Sequence, residues 1–161
     1  MRSFSSLMGA QTLLPIIQAE TAEEGLNIAK AMGAAGIKLV EVVLRTPASY
    51  DAITLIKKEL PEMVVGAGTI LDEAILDKAL AAGSDFIITP ATSAKLYDIL
   101  AKCPVPVVPG VSTAADILRA YENGYTEIKL FPASLSGGVA FLKAMSSVFQ
   151  TIKFCPTGGI N

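Results

Sequence analysis

An α/β fold of the (β/α)8 TIM-barrel type is what this sequence predicts, and three observations carry the prediction. Short β-rich runs alternate with longer helical stretches along the chain, a rhythm that yields parallel strands, right-handed crossovers and helices covering the sheet. Glycines stand where helices must end before the next strand. Polar, glycine or proline residues recur at the C-terminal end of nearly every strand, as a barrel requires, whereas an open doubly wound sheet gathers its ligand contacts at one switch point.

Leu13–Ile17 is the first predicted strand. The helix Ala22–Ala35 follows, opened by the capping-box sequence Thr21-Ala22-Glu23-Glu24 and closed by Gly36. In the strand Ile37–Leu44, alternation puts Val40, Val42 and Leu44 on one face. Glu41 and, ~13 Å further along, Arg45 share the other. A helix at Ser49–Leu60 leads to the strand Met63–Val65, which runs into Gly66-Ala67-Gly68-Thr69. The helix Asp72–Ala82 ends at Gly83, and the strand Asp85–Ile88 ends at Thr89-Pro90. Next come the helix Ala94–Lys102 and the strand Val105–Val108, whose end reads Pro109-Gly110-Val111-Ser112. The helix Ala114–Asn123 stops at Gly124 before the strand Glu127–Phe131. A helix at Val139–Ser146 and a strand at Ile152–Cys155 lead to Thr157-Gly158-Gly159. These are about seven strands, and Asn161 follows the last of them directly, so the expectation is one barrel domain over residues 1–161, truncated at its C-terminus.

Composition narrows the function classes. With 161 residues, 52% of them hydrophobic, and a net charge of -2, the chain can bury a sizeable core and offers no basic patch for nucleic acid. Its apolar runs are too short to span a membrane. Cys103 and Cys155 lack metal-type spacing and nothing at the start reads as a signal peptide, which points to a reducing cytoplasm. Histidine is absent, which removes Ser-His and Cys-His nucleophiles and the commonest zinc ligand, and no metal site is expected. Catalysis would have to use Lys, Glu, Asp, Tyr or the backbone.

Lys129 interrupts the apolar run Ile128-Lys129-Leu130-Phe131. An ammonium is costly to bury, so such a lysine is either paired with a buried carboxylate or kept as a neutral amine that attacks carbonyls. Strand alternation aims Lys129, Glu127 and Phe131 one way and Ile128 and Leu130 the other. Lys129, Glu41 and Arg45 can therefore look into one barrel, as a structural ion pair or as a catalytic one. Gly66-Ala67-Gly68-Thr69 and Thr157-Gly158-Gly159 each offer backbone N–H groups and a hydroxyl of the kind a carboxylate or phosphate needs, or simply a tight turn and a barrel corner.

The segments LVEVVLRT, GAGT, TP at Thr89-Pro90, VPGVST, EIKLFPA and FCPTGGI occur in an order and spacing that resembles the KDPG/KHG aldolase family, from Leu14 to the end. The resemblance implies a metal-independent, cofactor-free Schiff-base aldolase of the Entner-Doudoroff pathway on a small TIM barrel, forming homotrimers. It would cleave 2-dehydro-3-deoxy-6-phosphogluconate to pyruvate and glyceraldehyde 3-phosphate, and 4-hydroxy-2-oxoglutarate to pyruvate and glyoxylate. The family pattern makes Lys129 the Schiff-base residue and Glu41 the general acid/base. Arg45 and Thr69 would hold the substrate carboxylate, Pro90, Phe131 and Thr157 would line the site, and Gly158 and Gly159 would donate N–H groups to a phosphate. Ala91 and Ser134 depart from the family pattern, and the family's other phosphate contact, a serine in the eighth-strand region, is not in this sequence. The alternatives are a galactonate-phosphate aldolase, another sugar-phosphate barrel enzyme, or a non-catalytic barrel fragment that associates with other copies.

Overall fold

The computed structural model describes residues 3–160. A short helix, α1 (Phe4–Met8), precedes the alternating pattern. Then follow β1 (Ile16–Ile17), α2 (Ala22–Ala34), β2 (Leu39–Val43), α3 (Ser49–Glu59), β3 (Val64–Gly68), α4 (Glu73–Ala81) and β4 (Phe86–Ile88). The chain continues through α5 (Ala94–Leu100), β5 (Val107–Val108), β6 (Gly110–Val111), α6 (Ala114–Glu122), β7 (Glu127–Leu130), α7 (Gly138–Val148) and β8 (Lys153–Pro156).

All the ladders are parallel, β1-β2-β3-β4-β5 in one sheet and β6-β7-β8 in the other. β5 and β6 are two halves of one strand parted by Pro109, which has no N–H to give a ladder. The predicted strand at Val105–Val108 therefore extends further, to Val111, and changes partner part-way: Val108 pairs with Ile88 and Gly110 with Lys129. The sheets thus wrap as one barrel wall with seven strand positions, as the alternation predicted. A cavity of about 810 Å³ lies along the seam between β1 and β8, from Phe4 and Met8 to Cys155 and Thr157.

Alternation distributes the side chains as expected. Val40, Val42, Val65, Ala67 and Ile87 pack outward with α2 and α3 residues such as Leu26, Ala29, Ile53 and Ile56 in the larger core. Ile128 and Leu130 do the same toward Ile117 and Ala120 of α6. Inside the barrel, Leu39, Phe86, Ile88 and Val108 form the floor with Phe4 of α1. The Phe4 and Phe86 rings lie 5.1 Å apart. Glu127 fixes this plug by accepting the Phe4 and Ser5 N–H groups at 2.7 and 3.0 Å. Five residues with one buried apolar side chain carry too little periodicity for sequence reading to find α1.

Helix ends follow the predicted chemistry with one change. Gly36, Gly83 and Gly124 all adopt positive φ, as left-handed caps require. The Thr21 side chain accepts from Glu24 N–H, but Glu24 reaches back to the N–H of Glu20 rather than that of Thr21, so the reciprocal box is incomplete. The complete box is at α6, between Thr113 and Asp116.

Candidate active site

Glu41 on β2 and Lys129 on β7 meet inside the barrel from different sheets. Lys129 Nζ lies 3.2 Å from Glu41 Oε1 and 3.5 Å from Oε2. Glu41 is 0% exposed and Lys129 5%. Two glycines of the neighbouring strand β3 open the inner face beside this pair. Gly68 is the clearest case: a Cβ there would overlap Glu41 Oε1. Gly66, in register with Glu41, makes room for the Phe86 ring in the same way. The glycines of Gly66-Ala67-Gly68 thus lie within β3, which runs three residues further than the predicted Val65; Gly68 gives the carboxylate its room and Gly66 the Phe86 ring.

Burial drives the Glu41 carboxyl above its usual range, and the charges of Lys129 and then Arg45 act against that rise. A carboxylate raised in this way is a stronger base than an ordinary one, and it sits within hydrogen-bond reach of an amine. The pair can therefore pass a proton from nitrogen to oxygen and back, which frees a lysine nucleophile without histidine. The Lys129 Nζ also lies 5.4 Å from the centroid of the Phe131 ring.

The remaining predicted residues surround the C-terminal ends of the strands. Thr69 follows β3 with φ of 71°, a left-handed conformation that is strained for a β-branched residue and costs on the order of 1–3 kcal/mol. Such strain gathers at binding sites. Arg45 stands beyond the end of β2, so strand alternation does not fix its direction; it is exposed, yet close enough for its charge to act on Glu41. Pro90 follows Thr89, whose carbonyl packs against Gly110, the register partner of Lys129. Thr157 is 7% exposed and its hydroxyl has no hydrogen-bond partner among the described residues, an orphan that a bound polar group would satisfy.

Gly158 and Gly159 turn back over the preceding loop with φ of 89° and 72°. A Cβ on Gly158 would meet the Phe131 ring and Pro132 at 3.1 Å. The loop is tied down by the Ala133 N–H to Thr157 carbonyl and Ser134 N–H to Gly158 carbonyl bonds, 2.8 and 3.1 Å. The N–H groups of Gly158 and Gly159 have no backbone partner among the described residues.

Sequence reading passed over three residues of this site. Cys155 is in register with Lys129, and its thiol is pushed up to about 11, first by burial and then by the Glu41 charge. It shares odd-number parity with Thr157, the signal that could have found it. Gly110 and Thr89 stand in the sequence reading as strand-end and family-motif residues, with no role in the site assigned to them.

The sequence matches the KDPG and KHG aldolase family over residues 5–161. The chain belongs to that family. It is 38% identical over 159 residues to the KHG/KDPG aldolase of Escherichia coli K12, covering 99% of this chain and 75% of that protein. Among solved structures, the KDPG aldolase of Legionella pneumophila with pyruvate captured as a covalent carbinolamine superimposes with a TM-score of 0.93 at 37% identity, over 97% of this chain and 76% of that one. The 2-keto-3-deoxy-6-phospho-gluconate aldolase of Zymomonas mobilis gives 0.93 at 40% identity, over 99% and 77%. Family membership accounts for the TIM-barrel class. No helix among the described residues is long and apolar enough to cross a membrane.

Proposed function

We propose that Lys129 is the Schiff-base nucleophile and Glu41 the proton carrier of an aldolase that cleaves 2-dehydro-3-deoxy-6-phosphogluconate to pyruvate and glyceraldehyde 3-phosphate. The observation that carries this reading is the buried contact of 3.2 Å between Lys129 Nζ and Glu41 Oε1. Glu41 accepts a proton from Lys129, and the free amine attacks the C2 ketone to form a carbinolamine. Glu41 returns the proton to the departing hydroxyl, which leaves as water, and an iminium remains. The carboxylate then takes the C4 hydroxyl proton while the C3–C4 bond breaks. The aldehyde departs and the bond electrons settle in the iminium as an enamine. Protonation at C3 and addition of water to the regenerated iminium release pyruvate and restore the amine.

Arg45 and Thr69 hold the substrate carboxylate, Arg45 by charge and Thr69 by its hydroxyl. Pro90, Phe131 and Thr157 form the wall, and the unpartnered Thr157 hydroxyl supports a polar contact there. The free N–H groups of Gly158 and Gly159 suit a phosphate. The same machinery serves 4-hydroxy-2-oxoglutarate, giving pyruvate and glyoxylate. The covalent carbinolamine named for the Legionella pneumophila aldolase supports this chemistry. The enzyme acts in the cytoplasm as a homotrimer with no cofactor. Leu135 and Val139, 85% and 68% exposed before and within α7, suit contact with another copy.

The test is release of pyruvate from both substrates, followed by coupled reduction to lactate. The wild type turns over both, and Lys129→Ala loses at least 1000-fold in kcat, on the order that loss of a covalent nucleophile produces. A Lys129→Ala variant within tenfold of wild type overturns the assignment.

A further inference from the structure

The two groups assigned to catalysis belong to different sheets, Glu41 to the five-stranded one and Lys129 to the three-stranded one. The barrel wall passes from one to the other at Val108-Pro109-Gly110, where Pro109 interrupts the ladder. Thr89 spans this break. Its backbone N–H donates to the Val108 carbonyl at 3.3 Å, the last bond on the β4 side. Its hydroxyl accepts the Gly110 N–H at 2.8 Å. Thr92 backs it up, 2.7 Å from the Thr89 hydroxyl and 3.3 Å from the Gly110 carbonyl.

The far side of the join leads straight to the nucleophile. Gly110 is the register partner of Lys129, and the Lys129 N–H donates to the Pro109 carbonyl at 2.9 Å. The fit leaves no slack, because a Cβ on Gly110 would overlap the Thr89 and Pro90 carbonyls. Thr89 is 0% exposed and its hydroxyl is spent on this join.

We propose that Thr89 is a positioning residue for the Schiff-base reaction: its hydroxyl takes the Gly110 N–H just past the break at Pro109 and holds the sheet carrying Lys129 at a fixed offset from the sheet carrying Glu41. The proposal deepens the Lys129–Glu41 reading and rests on it. Loss of the hydroxyl leaves the Gly110 N–H unpaired and lets the sheets slip, and a misplacement of about 1 Å between reacting groups slows a reaction on the order of 100-fold. The effect falls on kcat, since Thr89 holds no part of the substrate.

The experiment compares wild type, Thr89→Val, Thr89→Ser and Thr92→Val, measuring kcat and KM with the phosphogluconate substrate and the rate of borohydride-trapped pyruvate adduct formation. Thr89→Val keeps the shape without the acceptor and is expected to lose 10- to 100-fold in kcat and in trapping rate, with KM within about threefold of wild type. Thr89→Ser keeps the hydroxyl and recovers activity to within about threefold of wild type. Folded Thr89→Val with unchanged kcat overturns the proposal, as does Thr89→Ser failing as badly as Thr89→Val. If Thr89→Val does not fold, Thr92→Val decides: a several-fold fall in trapping rate supports the join, and an unchanged rate overturns it. Absence of adduct in the wild type is a different failure, that of the Lys129 assignment itself.

Discussion

Replacing Lys129 by methionine removes the positive charge and leaves the Glu41 carboxyl alone where it is 0% exposed. Burial already raises this carboxyl above its ordinary value of 4.5, and Lys129 opposes the rise. Without the ammonium the carboxyl climbs further. A group whose folded value exceeds its unfolded value contributes stability that is full below the unfolded value and is lost as pH rises through the folded one. Lys129→Met and wild type are therefore closest in stability near pH 5 and diverge as pH increases. One proton changes the stability by about 1.36 kcal/mol per pH unit, so between pH 5 and pH 8 the gap widens by up to ~4 kcal/mol. That agrees with the 3–5 kcal/mol typical when one partner of a buried pair is removed. Adding Glu41→Leu removes the stranded carboxyl, and the double variant regains most of the loss at pH 8. The assay is urea unfolding of the three proteins across this pH range, with the slope m checked for constancy. A gap that stays constant or narrows as pH rises would refute the reasoning.

Other perturbations read other parts of the site. Glu41→Gln preserves shape and removes the base, so kcat falls on the order of 100- to 10,000-fold while KM changes little in the steady-state assay. Gly68→Ala drives a methyl into Glu41 Oε1; it costs about 1–3 kcal/mol in urea unfolding and lowers kcat with it. Glu127→Ala leaves the Phe4 and Ser5 N–H groups without their acceptor, and limited proteolysis is expected to cut near Gly9 faster than in wild type. The Cys155 thiol, pushed up to about 11, is roughly one part in a thousand thiolate at pH 8, so iodoacetamide labels it on the order of 100-fold more slowly in the native protein than in urea. Equal rates in the two states would contradict the burial and charge that surround it.

Much of this arrangement was legible from parity and punctuation. Glu41 and Lys129 each carry a charge amid apolar neighbours, and alternation turned both inward before any contact was known. Gly36, Gly83 and Gly124 marked helix ends because left-handed backbone has few other tenants. What escaped depended on contacts between distant segments. Gly66 and Gly68 resemble a turn in sequence, and only the register against Glu41 makes them spacers. Pro109 was read as a strand end, whereas the strand passes through it and changes sheets. Arg45 lies past the end of β2, where the two-residue period stops governing direction. Phe4 was invisible because its meaning is a ring against Phe86, over 80 residues away in the chain.

The most direct test is to incubate the protein with pyruvate, reduce with borohydride, and map the product by peptide mass spectrometry beside a pyruvate-free control. The account predicts one reduced pyruvyl adduct, on Lys129, that forms far more slowly in Glu41→Gln. A folded protein that gains no adduct, or one that carries it on a surface lysine such as Lys58 or Lys153 instead, would contradict the central claim.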